Sequence, residues 1–364
     1  MKSDLRAVYD GLYIRIDTKQ QALAAARANR KYARTLAPLP ALNGEYRSVV
    51  RPYWKPYRVA VPGKYSFRLF ARAEKGEGGH IDPRYIPDDL WYDRILPHYN
   101  DLLFARALQD KCLLNVLFPE FRRPVTVVKC IAGVFYDDGL RLLTREEAIA
   151  RVPGHGRVIV KLSVGSSQGR GIRFFDSDSL TPAEIDGIFR EYGRDFIVQE
   201  KLRQHEVMAA LNPGSLNTVR ILTFLHGDRV HVLNAILRVG GSDSEVDNVS
   251  RGGFQCTVLP DGRLAPYAAT KRSGAWVPAD TCATGVRFAD VTVPGFAAAR
   301  QAVCAAAARM SHFKIIGWDI GIDDDGTPTL IEYNVMPEQN QMTCGPTFGD
   351  LTEAVLTEVF GRRA

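Results

Sequence analysis

The sequence predicts an α+β fold, and three observations carry that prediction. Runs rich in apolar residues flank the turns Gly227-Asp228, Asp261-Gly262 and Asp325-Gly326, the pattern of antiparallel hairpins. Helix starts with capping boxes occur at Asp17, Thr144 and Thr181, and an Ala-rich helix is expected over 296–313. The 364 residues, 46% apolar and 24% charged, are enough for two or three domains with a large buried core.

In chain order, Asp17 with Gln20 opens an Ala-rich amphipathic helix to about Leu36, stopped by Pro38 and Pro40. The stretch 46–65 mixes Tyr53, Trp54 and Tyr57 with Arg47, Arg51, Lys55 and Arg58. Such a mixture either covers a domain surface with long basic stems or stacks rings and holds anions. A loop is expected at 74–79, then a helical region from Ile86 to about Leu117 that contains Asp110-Lys111. Residues 1–123 thus read as a basic, helical N-terminal region.

From Pro124 the texture changes to strands. Runs at 125–130 and 131–136 precede a turn at Asp137-Asp138-Gly139, and Thr144 with Glu147 caps a short helix. The apolar run Val158-Ile159-Val160-Lys161-Leu162 leads into a Gly/Ser-rich loop, 163–171, and a strand from Ile172. Thr181-Pro182-Ala183-Glu184 starts a helix that ends near Gly193, followed by a strand at 196–199. These elements form a second unit, 124–203. The third, 204–364, has hairpin strands at 217–225 and 229–239, a hairpin around Asp261-Gly262, and a loop-rich stretch over 274–293. The helix over 296–313, the hairpin of 317–334 and a closing helix over 350–360 complete it.

Composition excludes several functions. No apolar run approaches bilayer-spanning length, and the N-terminus lacks the apolar core of a signal peptide. Six cysteines without CxxC spacing indicate neither a zinc site nor a disulfide framework, so a reduced cytoplasm is the expected setting. The net charge of +6 comes from residues 1–123, with 22 Lys/Arg against 13 Asp/Glu. Such a surface suits phosphorylated small molecules, an anionic membrane face or nucleic acid. No nucleic-acid motif accompanies it, so nucleic acid is not the expected partner.

The residues that can carry chemistry begin with the last hairpin. If Asp325 and Gly326 are its two loop residues, Asp324 faces Thr327, Asp319 faces Glu332, and Asn334 shares the face of Glu332. Opposed carboxylates destabilise a strand pair unless a cation lies between them. Donors that offer only oxygen suit Mg²⁺ that also takes phosphate oxygens. A solvated acidic face is the alternative. Gly317 and Gly321 flank Asp319 and leave room for a bulky neighbour, while Trp318, Ile320, Ile322, Ile331 and Tyr333 form an apolar face. Upstream, Lys129, Lys161, Arg220 and Arg238 each sit inside an expected strand among apolar neighbours. Each alone is an ordinary outward charge. Four of them beside a carboxylate pair point to a shared polyphosphate–Mg²⁺ site.

These residues, in order, resemble the ATP-grasp superfamily: Lys129, Lys161 with its Gly-rich loop, Gln199-Glu200-Lys201-Leu202, Asn217-Thr218-Val219-Arg220, Arg238, Asp247-Asn248 with Gly252-Gly253, and Asp319…Glu332-x-Asn334. Ser215 to Arg220 and Gly317-Trp318-Asp319 resemble its sugar-transfer-associated branch most, and the resemblance covers about residues 85–345. It implies an ATP-grasp fold, two α/β subdomains gripping ATP, beside the basic N-terminal region. It implies that Lys129 and Lys161 contact the α- and β-phosphates, under a flap that includes Gly165, Ser166, Ser167, Gly169 and Gly171. Glu200, Lys201 and Leu202 would meet the adenine and Glu206 the ribose. Arg220, Arg238 and Asn248 would face the γ-phosphate and an acyl phosphate, and Asp319, Glu332 and Asn334 would hold Mg²⁺.

The activity this implies is ATP-dependent joining of a small-molecule carboxylate to an amine, possibly on a sugar, in polysaccharide or natural-product assembly. A small-molecule kinase and a non-catalytic nucleotide-binding regulator are the alternatives. The sequence leaves the two substrates and the oligomeric state open.

Overall fold

The computed structural model describes residues 16, 18–27, 30, 44–59, 82–165, 171–242, 252–272 and 275–361. The proline stop after Leu36, the loop expected at 74–79, and Ser166, Ser167, Gly169 and Asn248 lie outside these residues. Residues 18–27 are helical, as the capping pattern predicts. No helix among the described residues is long and apolar enough to cross a membrane.

Short helical turns at 46–57 and 88–99 lead into helix α1 (Leu102–Leu108), which Asp101 caps by accepting the Leu103 N–H. The first sheet contains β1 (Thr126–Ile131), β2 (Val134–Tyr136), β3 (Leu142–Leu143), β4 (Arg157–Leu162), β5 (Arg173–Asp176) and β6 (Phe196–Glu200), ordered β3-β2-β1-β6-β4-β5. Helices α2 (Arg145–Ala150) and α3 (Pro182–Tyr192) begin with the capping boxes expected at Thr144 and Thr181. Ala148 of α2 and Ile185 and Phe189 of α3 share a core with Val128, Val158 and Val198 of the sheet. The expected turn at Asp137–Gly139 forms and connects β2 to β3, while a further turn at Ala132-Gly133, both residues in the left-handed region, divides β1 from β2. A positive φ at an alanine leaves no sequence signal. The turn is held from outside, since Asp195 Oδ1 accepts the Ala132 N–H and Arg194 O accepts the Gly133 N–H.

Helix α4 (Glu206–Leu211) leads to a second, seven-stranded sheet: β7 (Thr218–His226), β8 (Arg229–Val239), β9 (Phe254–Val258), β10 (Leu264–Arg272), β11 (Ala275–Ala279), β12 (Ile315–Ile322) and β13 (Pro328–Asn334). Its order is β11-β10-β9-β8-β7-β12-β13, with every pairing antiparallel. Strand β11 lies inside the stretch expected to be loop-rich, as a sheet edge. Helix α5 (Phe296–Ala307) packs through Ala299 and Val303 onto a core that includes Val219, Ile221, Trp318, Ile320 and Leu330. The opposite face of β7 changes character along its length. Thr218 and Arg220 are polar, whereas Leu222 and Phe224 enter an aromatic core with Trp54, Tyr85, Trp91 and helix α6 (Thr352–Phe360). That change separates the site from the core on one face of a single strand.

The β12–β13 hairpin differs from the expectation in two places that offset each other. Its loop has three residues, not two: Asp323 N–H donates to Thr327 O, and Gly326 N–H returns to Asp323 O with Gly326 at φ 81°. That would slip the ladder by one residue. A bulge between Asp319/Glu332 and Ile320/Leu330 restores it, so Asp319 pairs with Glu332 and Trp318 with Tyr333. The bulge also moves Leu330 into the core and turns Ile331 out of it, toward Gly321.

Candidate functional site

The carboxylate pair belongs to a longer row. Glu332 on β13 neighbours Asp319 on β12, which neighbours Arg220 on β7. Arg220 binds Asp319 in bidentate fashion, Nε to Oδ1 at 2.7 Å and Nη2 to Oδ2 at 2.6 Å, and Arg238 Nη1 reaches Oδ2 at 3.4 Å. Burial opposes ionisation of Asp319. The charge and hydrogen bonds of Arg220, with Arg238 behind, outweigh it and hold the carboxyl below its ordinary range. Burial likewise opposes the Arg220 charge, yet Asp319 raises its pKa. The cations that the facing acids require are therefore protein groups in part: two guanidiniums on Asp319, and Lys111 on Glu332, with Nζ 3.2 Å from Oε2.

Lys111 is the residue the sequence reading missed. Asp110 accepts the Cys112 N–H and so opens the turn Lys111–Leu113, while the Lys111 N–H donates to Ser163 O on the first sheet's side. The turn therefore touches the strands of one sheet and sends its ammonium to the other. A lysine directly after a capping aspartate was the available signal. Lys129 and Lys161 stand in one row across the first sheet, each opposite Ile197 of β6, and so point to the same face. Their surroundings differ. Lys129 is fully buried and donates to Asn115 Oδ1 at 2.9 Å and Asp138 O at 2.8 Å, with Asp138 Oδ1 at 3.2 Å. Burial, against the pull of Asp138, lowers its pKa. Lys161 is 9% exposed, and its pKa is pushed down to about 8 by burial and the Lys111 ammonium, with Glu332 pulling the other way. It thus lies in the field of the carboxylate pair, beside Lys111, whereas Lys129 is committed to Asp138 and Asn115.

Lys111, Glu332, Asn334 and Gly165 line a cavity of about 150 Å³ with Gln109, Asp110, Leu114 and Tyr333. Of the expected flap, Gly165 and Gly171 fall within the described residues, both in the left-handed region that suits glycine. The donor set fits a hard cation. Asp319, Glu332 and Asn334 offer oxygens from one face, each carboxylate oxygen accepts from two directions, and Glu332 is half-buried.

The segment Glu200-Lys201-Leu202 is tied to both sheets. The Glu200 and Lys201 N–H groups donate to Val125 O and Arg157 O, and Glu200 Oε1 lies 2.7 Å from His155 Nδ1. Leu202 occupies the space above Gly321, where a Cβ would stand 2.8 Å from Leu202 Cδ2, and Pro337 Cβ is equally close above Gly317. The bulky neighbours these glycines admit are thus the chain's own Leu202 and Pro337. Glu206 is exposed in the first turn of α4. Asn217 is fully buried, its amide donating to Met208 O at 2.7 Å and Asn212 O at 3.0 Å, with Ser215 Oγ on its oxygen. It anchors the start of β7 and so places Arg220, three residues on.

Lysines from one sheet's side meeting carboxylates and arginines of a second, with a glycine-rich loop between β4 and β5, define an ATP-grasp fold. The chain belongs to the sugar-transfer associated ATP-grasp family, whose pattern matches residues 93–350. Among solved structures it is similar to the ATP-grasp ligase PsnB in complex with a minimal precursor, at 16% identity and a TM-score of 0.40 over 71% of this chain and 64% of that one. It is similar to D-cycloserine synthetase DcsG at 15% identity and a TM-score of 0.43, over 71% and 73%. For an L-amino acid ligase from Bacillus licheniformis the values are 12% and 0.38, over 71% and 49%. The chain thus spans less than two-thirds of the PsnB chain and about half of the Bacillus ligase. No curated protein sequence matches it.

Proposed function

We propose that this protein is an ATP-dependent carboxylate–amine ligase acting through an acyl phosphate. The observation that carries the reading is the convergence of Lys111, Lys161, Arg220 and Arg238 on the Asp319–Glu332 pair. Lys111 and Lys161 would bind phosphate oxygens of ATP, a role the sequence reading gave to Lys129 and Lys161. Glu200, Lys201 and Leu202 would border the adenine, with Glu206 toward the ribose. Asp319, Glu332 and Asn334 would hold Mg²⁺, which supplies Lewis-acid neutralisation of the phosphate charge.

A carboxylate is a poor electrophile, because its charge repels a nucleophile and oxide is a poor leaving group. Transfer of the γ-phosphoryl group of ATP gives the acid a good leaving group. Arg220 and Arg238, with Asn248, would offset charge on the transferring oxygens and then on the tetrahedral oxyanion as the amine attacks and phosphate leaves. The glycine-rich segment, Gly165, Ser166, Ser167, Gly169 and Gly171, would keep water from the acyl phosphate. The family supports a sugar-linked amine and a setting in polysaccharide or natural-product assembly, in the cytoplasm. The test is ADP and phosphate release with a panel of acids and amines. Release of both that requires acid and amine together supports the ligase. ADP without phosphate in the presence of a hydroxyl compound replaces it with a kinase, and ATP binding without turnover replaces it with a regulator.

A further inference from the structure

Lys111 carries a charge whose position is set independently of that charge. Other groups fix its turn, Lys111–Leu113. Asp110 Oδ1 accepts the Cys112 N–H at 2.9 Å, the Lys111 N–H donates to Ser163 O at 3.1 Å, and Cys112 Sγ donates to Phe196 O of β6. From the second sheet, the Tyr333 hydroxyl on β13 donates to Leu108 O, and the Gln109 amide approaches Tyr333 O at 3.5 Å. The backbone on either side thus carries the ammonium to Glu332, and neutralising the ammonium leaves these contacts in place.

Lys111 Nζ lies 3.2 Å from Glu332 Oε2, with the two side chains 13% and 32% exposed, and both residues line the cavity of about 150 Å³ beside Asn334. Glu332 is the more accessible of the two facing acids, since Asp319 is 3% exposed and gripped by Arg220 through both oxygens. An ammonium and a divalent ion on one carboxylate repel each other, and partial burial weakens the screening of that repulsion. The surrounding charge acts in the same direction. At pH 7, Lys111, Lys161, Arg220 and Arg238 bring four positive charges against three negative ones from Asp110, Asp319 and Glu332, so a bare cation meets net positive charge. A triphosphate reverses that sign, and its oxygens offer the Lys111 ammonium a second partner. Glu332 is then left to a metal ion.

We propose that Lys111 is an internal competitor that keeps a divalent cation off Glu332 until nucleotide phosphate takes over its ammonium. This rests on the ligase reading, which puts nucleotide and metal in this site, and adds an order to it: the cation enters with the nucleotide or after it, not ahead of it.

The test is direct binding of Mn²⁺, read from the electron paramagnetic resonance signal of the free ion, with and without a non-hydrolysable ATP analogue and with no acid or amine present. The proteins are the wild type, Lys111→Met, Lys111→Arg and the double variant Lys111→Met with Glu332→Gln, each checked for folding by thermal unfolding. Without nucleotide, Lys111→Met should bind Mn²⁺ about tenfold or more tightly than the wild type, because one cation beside the carboxylate is gone. Lys111→Arg keeps the charge and should match the wild type. The double variant should lose the gain, which separates this site from the exposed Asp323-Asp324-Asp325 cluster. The analogue should tighten Mn²⁺ binding in the wild type and do so less in Lys111→Met. Equal Mn²⁺ affinity of wild type and Lys111→Met without nucleotide, or a gain that survives in the double variant, overturns the competitor role; if the analogue still tightens binding in the wild type, the ligase reading stands. A wild type whose Mn²⁺ affinity ignores the analogue overturns the shared metal–nucleotide site, and the ligase reading and the competitor fall together.

Discussion

Asp319→Asn separates the two acids of the last hairpin by stability as well as by activity. The substitution keeps the shape of the side chain and removes the charge held between Arg220 and Arg238. Asp319 is 3% exposed and Arg220 9%, so solvent does little to screen the loss. Breaking a buried ion pair from one side costs about 3–5 kcal/mol, and the amide oxygen retains one hydrogen bond, which places this case near about 3 kcal/mol. At about 2–4 °C per kcal/mol for a large domain, the melting temperature should drop by about 6–12 °C. Glu332→Gln is the control. The Glu332 side chain is 32% exposed in its pair with Lys111. Such a pair contributes about 0–1 kcal/mol, and relief of repulsion with Asp319 offsets part of that. Its melting temperature should therefore move by less than about 3 °C.

Both variants should lose ADP release. Thermal unfolding read beside the turnover assay checks all four outcomes. Equal stability of Asp319→Asn and wild type would refute the buried Arg220–Asp319 pair. The acid limb provides a second check. The folded pKa of Asp319 is depressed, so its contribution is present above the unfolded carboxylate value and is lost as pH falls through the lower folded one. Below about pH 4, Asp319→Asn should lose stability less steeply than wild type.

Two further outcomes follow from the same geometry. Lys161 titrates near 8 in the fold against 10.5 when unfolded, so burial destabilises the protein below pH 8 and stability rises between those values as the native state sheds its proton. ATP affinity should run the other way, weakening as pH rises through 8 by up to about tenfold per unit, and Lys161→Met should abolish that slope; a wild-type affinity flat from about pH 7 to 9 would refute the role. Gly317→Ala sets a Cβ 2.8 Å from the Pro337 ring. It should cost about 1–3 kcal/mol in urea unfolding, and a variant of unchanged stability would show that Pro337 does not lean on this strand.

Local chemistry made much of the fold legible. The capping boxes at Thr144 and Thr181 and the hairpin at Gly227-Asp228 depend on neighbours a few residues apart, and each forms where the sequence places it. The pairing of Asp319 with Glu332 was legible for a less secure reason. A third loop residue and a bulge displace the ladder in opposite directions and cancel. The Ala132-Gly133 turn and strand β11 were not legible, because one depends on Asp195 and Arg194 from across the sheet and the other on an edge offered by β10.

Sequence alone determined the residue types of the site: oxygen donors facing one another on a ribbon, and cations embedded in apolar strands. Only the tertiary structure decided which cation serves which acid. Lys129 and Lys161 are equivalent along the chain, each opposite Ile197 of β6, yet Asp138 and Asn115 take the ammonium of the first. Lys111 reaches Glu332 from a turn 221 residues away in sequence, whose position depends on Ser163. A lysine's role is set by the charges within a few ångströms of its nitrogen, and here long-range contacts bring those charges together.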